Sequence, residues 1–178
     1  MKKQLRGSTA LVPCPVILLS VKGAPTPNII TLSWAANICS DPPSVAVGIR
    51  ATRHSYDLVK RAGEFVVNIP RADQLDAAEF CGSKSGARFD KFAECNLTPV
   101  PATKIDAPMI EECPINLECK TTEIIKVGVH DVFIAEILAV HIDDSLMDER
   151  GRFDASKANL FVYLPLNAEY WSLGEQLP

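Results

Sequence analysis

The chain has 178 residues, 47% hydrophobic and 22% charged, with a formal net charge of −4. That length suits one domain, residues 1–178, with a sizeable core. The acidic balance and 7% aromatics argue against a nucleic-acid surface. The six cysteines, at 14, 39, 81, 95, 113 and 119, form no C-x-x-C pair and no zinc spacing, so reduced thiols in a cytoplasmic protein are expected.

The basic start, Met1 to Arg6, precedes "ALVPCPVILLSV", which Pro13 and Pro15 break. It is too short to span a bilayer and reads as a first strand, Val16 to Val21, so neither a secretory signal nor a membrane partner is expected. Gly23, Pro25 and Pro27 mark a turn. Asn28 to Trp34 reads as a second strand, and Ser44 to Ile49 as a third, with "CSDPP" between them as a stop. "TRHSYDLVKRAG" has helical character: Thr52 or Ser55 can cap it and Gly63 ends it. "EFVVNIP" is a short buried strand. "RADQLDAAEFCG", ended by Gly82, and "ARFDKFAEC" read as helices.

Pro99 to Pro114 reads as an ordered surface connection. Two long strands follow, Ile115 to Val127 and His130 to Ile142. Strands of that length are what a closed barrel needs. Val129 to Ile142 is apolar on both faces and is expected to be covered on both. "NLFVYLP" is a last strand and "EYWSLGEQ" a tail. The fold class is mainly β with helical insertions, a barrel rather than a long parallel sheet.

Several chemistries are missing. No G-x-G-x-x-G or P-loop motif occurs, Lys84 stands where a "GSKSG" nucleophile would need serine, and the three histidines lack metal-ligand spacing. What is present is "RATRHSYDL", which leaves a strand and enters a helix. Arg50 and Arg53 offer forked guanidinium donors, Thr52 and Ser55 offer hydroxyls, and a helix start offers free N–H groups. That set suits a phosphate, and it equally suits a capped surface helix with stray arginines. "SGARFDKF" adds Ser85, Arg88 and Lys91, which taken alone read as a solvated loop.

The segments "NIITLSW", "SDPPSVAVGIR", "RHSYDLV", "GEFVVNIP" and "SGARFDKF", in that order, resemble the flavin reductase-like, FMN-binding split-barrel family, and most closely its flavoredoxin branch. "GVHDVFIAEI" is similar to the family's G-D-H-x-x-x-x-G-E-V strand, and "YLPLNAEYWSLGE" to its Tyr-rich ending. The resemblance implies a six-stranded Greek-key split β-barrel, a homodimer, and one FMN per subunit near the dimer interface. It implies that the strand bearing Asn28, Thr31, Leu32, Ser33 and Trp34 lies along the flavin ring, bordered by Trp34 and Asn37. The loop bearing Arg50, Thr52, Arg53 and Ser55 would hold the phosphate, with Ser85 and Lys91 as further contacts.

His130 matches the family histidine, although Val129 replaces the preceding Asp and Ala135 the later Gly. It is either a residue facing flavin and nicotinamide or a strand-end histidine at a barrel rim. Cys39, near the flavin segment, is expected to be an inert buried thiol, with a redox role as the alternative. The implied activity is electron transfer through FMN, with NAD(P)H as donor and free flavin, a ferric complex or a protein as acceptor. An electron carrier without a nicotinamide step and a non-catalytic flavin-binding module remain alternatives.

Overall fold

The computed structural model describes residues 1–177. In chain order it contains β1 (Cys14–Pro15), β2 (Ile17–Val21), β3 (Asn28–Leu32), β4 (Ala35–Ser40), β5 (Pro43–Arg50), α1 (His54–Ala62), β6 (Glu64–Ile69), α2 (Leu75–Ser83) and α3 (Lys91–Glu94). These are followed by β7 (Pro99–Val100), β8 (Met109–Ile110), β9 (Ile115–Val127), β10 (His130–Ile142), β11 (Phe161–Leu164) and β12 (Glu169–Ser172). No helix among the described residues is long and apolar enough to cross a membrane.

Strands β9 and β10 form the longest hairpin, joined across Gly128 and Val129, with His130 opposite Val127. Gly128 takes φ 87°, the conformation a two-residue hairpin turn asks of glycine. The main antiparallel sheet runs β3-β2-β6-β9-β10-β5-β4. β6, β9 and β10 are successive neighbours, and β5, which precedes them in the chain, returns beside β10, a Greek-key arrangement. β4 continues β3 after a break at Ser33 and Trp34 and pairs with β5. One chain segment thus pairs with β2 through its first half and β5 through its second, and the Gly48 N–H donates to the Trp34 carbonyl at 2.7 Å across the join. This bent segment closes six strands into the expected barrel.

The barrel interior holds Ile17, Leu19, Val21, Val47, Ile49, Phe65, Val67 and Phe133. The opposite face of β2 and β3 presents Val16, Leu18 and Ile29 to a second core, roofed by Ala78 and Cys81 of α2, Phe92 of α3, and Leu97, Ile110 and Phe161. Because both faces of β2 are covered, its sequence is apolar on both faces but for Ser20, a buried hydroxyl that donates to the Pro108 carbonyl.

Several expectations change. The second strand was expected to end at Trp34, yet after a break the chain continues as β4, whose residues after Ala35 are all exposed, and it stops at Ser40 within "CSDPP". The expected tail contains β12, paired with β11. Gly82 lies inside α2 rather than ending it. The Pro99–Pro114 connection is more than a surface crossing, because Ala107, Ile110 and Cys113 are buried in it. Two polar anchors pin it down. Asn68 Oδ1 accepts from the Ile110 N–H and from Asn116, and buried Glu118 accepts from the Thr103 N–H and hydroxyl and from the Lys104 N–H. β10 is covered on one face only; Phe133 and Ala135 point inward, whereas Val132 and Ile134 are half-buried in the single chain and Val140 is exposed. Cys39 is exposed, not buried.

Candidate functional site

Barrel closure brings the end of β5 beside the start of β10, with Arg50 directly opposite His130 in the ladder. The break between β3 and β4 lies next to them, and α2 packs beside β3 so tightly that a Cβ at Gly82 would come within 3.2 Å of the Thr31 Cβ. Between these elements is a cleft of about 640 Å³. Its lining includes Thr31, Leu32, Ser33, Trp34, Gly48, Arg50, Arg53 and His130, with Glu79, Gly82 and Ser83 from α2 and Tyr163 and Tyr170 from the C-terminal ribbon. Gly48 is small for a reason: a Cβ there would sit 3.1 Å from the Trp34 Cβ.

A second pocket of about 100 Å³ shares Arg53, Gly82, Ser83 and Ile30 with the cleft. Thr52, His54, Ser55, Cys81, Lys84, Ser85, Gly86 and Lys91 complete it. It sits at the start of α1. Arg53 occupies the N-cap position with extended backbone and makes no side-chain cap bond, so neither Thr52 nor Ser55 caps the helix as expected. The Tyr56 N–H bonds the Arg53 carbonyl at 2.9 Å, which leaves the His54 and Ser55 N–H groups without a partner in the helix. Together with the positive helix end, they turn donors toward the pocket that Thr52, His54 and Ser55 line.

The back of this pocket is prearranged. Asn28 Nδ2 donates to Ser55 Oγ at 2.7 Å in a buried position, which leaves the Ser55 hydroxyl proton free to donate. Gly86 packs against the Asn28 amide so closely that a Cβ there would lie 1.8 Å from Oδ1. Asn28 therefore positions Ser55 and the loop from behind. Lys91 is buried, and its ammonium donates to the Ile29 and Cys81 carbonyls at 2.7 Å each. One of its three N–H groups remains for the pocket. Burial, only partly offset by the neighbouring thiols of Cys81 and Cys95 and reinforced by the Arg53 charge, holds the Lys91 pKa below its usual value.

On the rim, Arg50 Nε donates to His130 Nε2 at 3.3 Å, which places the neutral ring's proton on Nδ1. Burial, and then the charges of Arg50 and Arg53, hold the His130 pKa below its usual 6.5. The Trp34 ring meets His130 edge-on, with centroids 6.5 Å apart.

The structure brings together eleven of the residues singled out in the sequence as walls of the two pockets: Thr31, Leu32, Ser33, Trp34, Arg50, Thr52, Arg53, Ser55, Ser85, Lys91 and His130. Asn28 stands behind them. Asn37 stands apart, exposed on β4 and lining neither pocket. The Thr31 hydroxyl donates to the Ala78 carbonyl on α2, so its proton is not free for a ligand. Sequence reasoning missed Tyr163, Tyr170 and Glu79 as cleft residues. Tyr163 and Tyr170 face each other across β11 and β12, rings 5.2 Å apart. The Tyr-rich ending was visible in the sequence, but the pairing that turns it toward the cleft was not. Burial, with Glu79 nearby, raises the Tyr170 pKa.

Comparison with known proteins agrees with this geometry. Residues 9–157 match the model of the flavin reductase like domain. Flavoredoxin of Desulfovibrio vulgaris (Miyazaki F) superposes with a TM-score of 0.94 at 36% identity, covering 100% of this chain and 96% of that one. A protein from Archaeoglobus fulgidus with no described function is 35% identical over 73% of each chain. The NADH:riboflavin 5'-phosphate oxidoreductase of Streptomyces pristinaespiralis is 27% identical over 80% of this chain and 78% of its own. The chain belongs to the flavin reductase-like, FMN-binding split-barrel family, in its flavoredoxin branch.

Proposed function

We propose that this protein is an FMN-dependent oxidoreductase that accepts hydride from NAD(P)H and passes electrons to a further acceptor. The observation that carries this reading is the joining of a wide, aromatic-walled cleft to a small cationic pocket through Arg53. A flat ring carrying a phosphorylated chain has that shape and that charge distribution. Bound there, FMN would supply the electron exchange that no side chain of the cleft provides.

The chain's own residues then have separable tasks. Arg53, the free Lys91 N–H, the Ser55 and Ser85 hydroxyls and the α1 start hold a phosphate. The backbone and side chains of Thr31, Leu32 and Ser33 border the ring, with Trp34 and the tyrosine pair as walls. His130, neutral at physiological pH, accepts from Arg50 and presents Nδ1–H as a donor at the rim. That donor orients a nicotinamide amide or guides a proton to the reacting edge. The half-exposed outer face of β10 and exposed Ile38, Val127 and Val129 are surfaces a second copy would cover in a homodimer.

Anaerobic mixing of the FMN-loaded protein with NADH and with NADPH tests this. Bleaching of the flavin absorbance by at least one of them is expected. Bleaching by dithionite but by neither nicotinamide overturns the reductase reading in favour of electron carriage without a nicotinamide step. The 36% identity to flavoredoxin supports that second reading.

A further inference from the structure

Cys81, in the last turn of α2, and Cys95, the residue that ends α3, place their sulfur atoms 3.9 Å apart. Neither thiol has a task in the function proposed above. The segment between them carries Ser83, Ser85, Gly86 and Lys91 into the small pocket. Cys81 itself lines that pocket, and its carbonyl is one of the two that fix the Lys91 ammonium. A sulfur–sulfur bond of about 2.05 Å requires the two atoms to approach by roughly 1.9 Å. That movement is small for a helix end and a neighbouring helix cap, but large against a 2.7 Å hydrogen bond.

We propose that Cys81 and Cys95 form an oxidation-sensitive dithiol that hydrogen peroxide closes to a disulfide, and that closure weakens the adjoining anion pocket. Cys95 is the half-buried member and reacts first, its neighbour being fully buried. The Cys95 sulfur attacks the peroxide, an S–O bond forms, the O–O bond breaks and water leaves, giving a sulfenic acid. The Cys81 sulfur then displaces the hydroxyl, which departs as water with the Cys81 proton. Two thiols and one peroxide become one disulfide and two waters. The positive charge of Lys91 favours the thiolate at both sulfurs, while burial opposes it and raises the Cys81 thiol to about 12. The pair is therefore slow and responds to sustained oxidation rather than to brief exposure. Closure draws the Cys81 carbonyl away from Lys91 and shifts the loop that bears Ser85.

The dithiol stands independently of the FMN reading; its effect on the pocket rests on that reading. The protein is treated with hydrogen peroxide at neutral pH, digested without reductant and mapped by mass spectrometry. A peptide pair joined through Cys81 and Cys95 is expected in the wild type and absent in Cys95→Ser. Sulfinic acid at Cys95 without a link, a link from Cys81 to Cys113 instead, or two unmodified thiols would overturn the proposal. FMN titration of reduced and oxidised protein reads the coupling, with affinity expected to fall about threefold or more on oxidation and to stay unchanged in Cys95→Ser. A formed disulfide with unaltered affinity overturns the coupling. If neither form binds FMN, the function proposed above fails, and trypsin cleavage after the exposed Lys84 and Arg88 reads the loop instead. A cleavage rate that oxidation leaves unchanged then counts against the coupling.

Discussion

The two ends of the site are built on different plans. At the α1 end, the polar groups at the back of the pocket are buried and already paired, Asn28 holding Ser55 and two carbonyls holding the Lys91 ammonium, with Arg53 exposed at its mouth. At the rim, Arg50 is exposed, His130 is half-buried, and the bond between them is long at 3.3 Å. Donors fixed before a ligand arrives lose little freedom when it binds, so the α1 end is suited to retention. A rim of loosely held side chains beside a wide opening is suited to exchange, where a second molecule must come and go. The two tasks separate cleanly enough that substitutions at one end are expected to leave the other nearly untouched.

The largest effect is expected from Arg53→Ala. Loss of a forked, charge-assisted contact costs about 1.5–3 kcal/mol, or roughly tenfold to a hundredfold in FMN affinity. Riboflavin, which has no phosphate, is expected to bind the variant as it binds the wild type; equal losses for both ligands would break the division. Lys91→Met combines two losses. Two backbone carbonyls lose their buried donor, a stability cost of about 1–3 kcal/mol by denaturant titration, and FMN binding weakens as well. Unchanged stability would show that the ammonium does not tie α3 to α2 and β3.

Glu118→Gln is the control away from both ends. Burial works to raise the Glu118 pKa, but hydrogen bonds from the Thr103 hydroxyl and N–H, from His141 and from the Lys104 N–H outweigh it and hold it at about 2. A carboxyl depressed on folding stabilises the fold fully above its ordinary value of 4.5 and loses that contribution as pH falls toward about 2. Acid unfolding of the wild type is expected across that window, and Glu118→Gln is expected to be less stable at neutral pH with little further loss there. FMN affinity is expected to stay the same in both. The smallest effect belongs to His130→Gln: FMN affinity unchanged, and nicotinamide reduction slowed by on the order of fivefold, the worth of about one hydrogen bond. Because the His130 pKa lies below 6.5, its protonation is expected to alter the wild-type rate only at more acidic pH. The glutamine variant is expected to lack that inflection.

How much of this was legible beforehand depended on range. The β9–β10 hairpin was readable because each strand carries its own apolar pattern and the intervening Gly128 its own turn. The anion pocket was readable because Thr52, Arg53 and Ser55 are nearly contiguous in the chain, whereas Arg50, expected beside them, lines the cleft at the rim instead. β4 was not, because its exposed residues carry no alternation and its identity comes only from pairing with β5. Asn37, which the family resemblance set beside Trp34, lies on that same exposed strand and lines neither pocket of the single chain. The tyrosine wall failed for the same reason in reverse. Tyr163 and Tyr170 reach the cleft only through pairing of β11 with β12 and packing of that ribbon on the second core. Distant pairings of this kind leave no local signal.

The central claim is that the small pocket exists for a phosphate attached to the ring in the large cleft. Parallel titrations of the purified protein with FMN and with riboflavin, followed by flavin fluorescence, test it most directly. FMN is expected to bind about tenfold to a hundredfold more tightly than riboflavin, with one FMN per chain at saturation. Equal affinities for the two flavins, or no saturable binding of either, would contradict it.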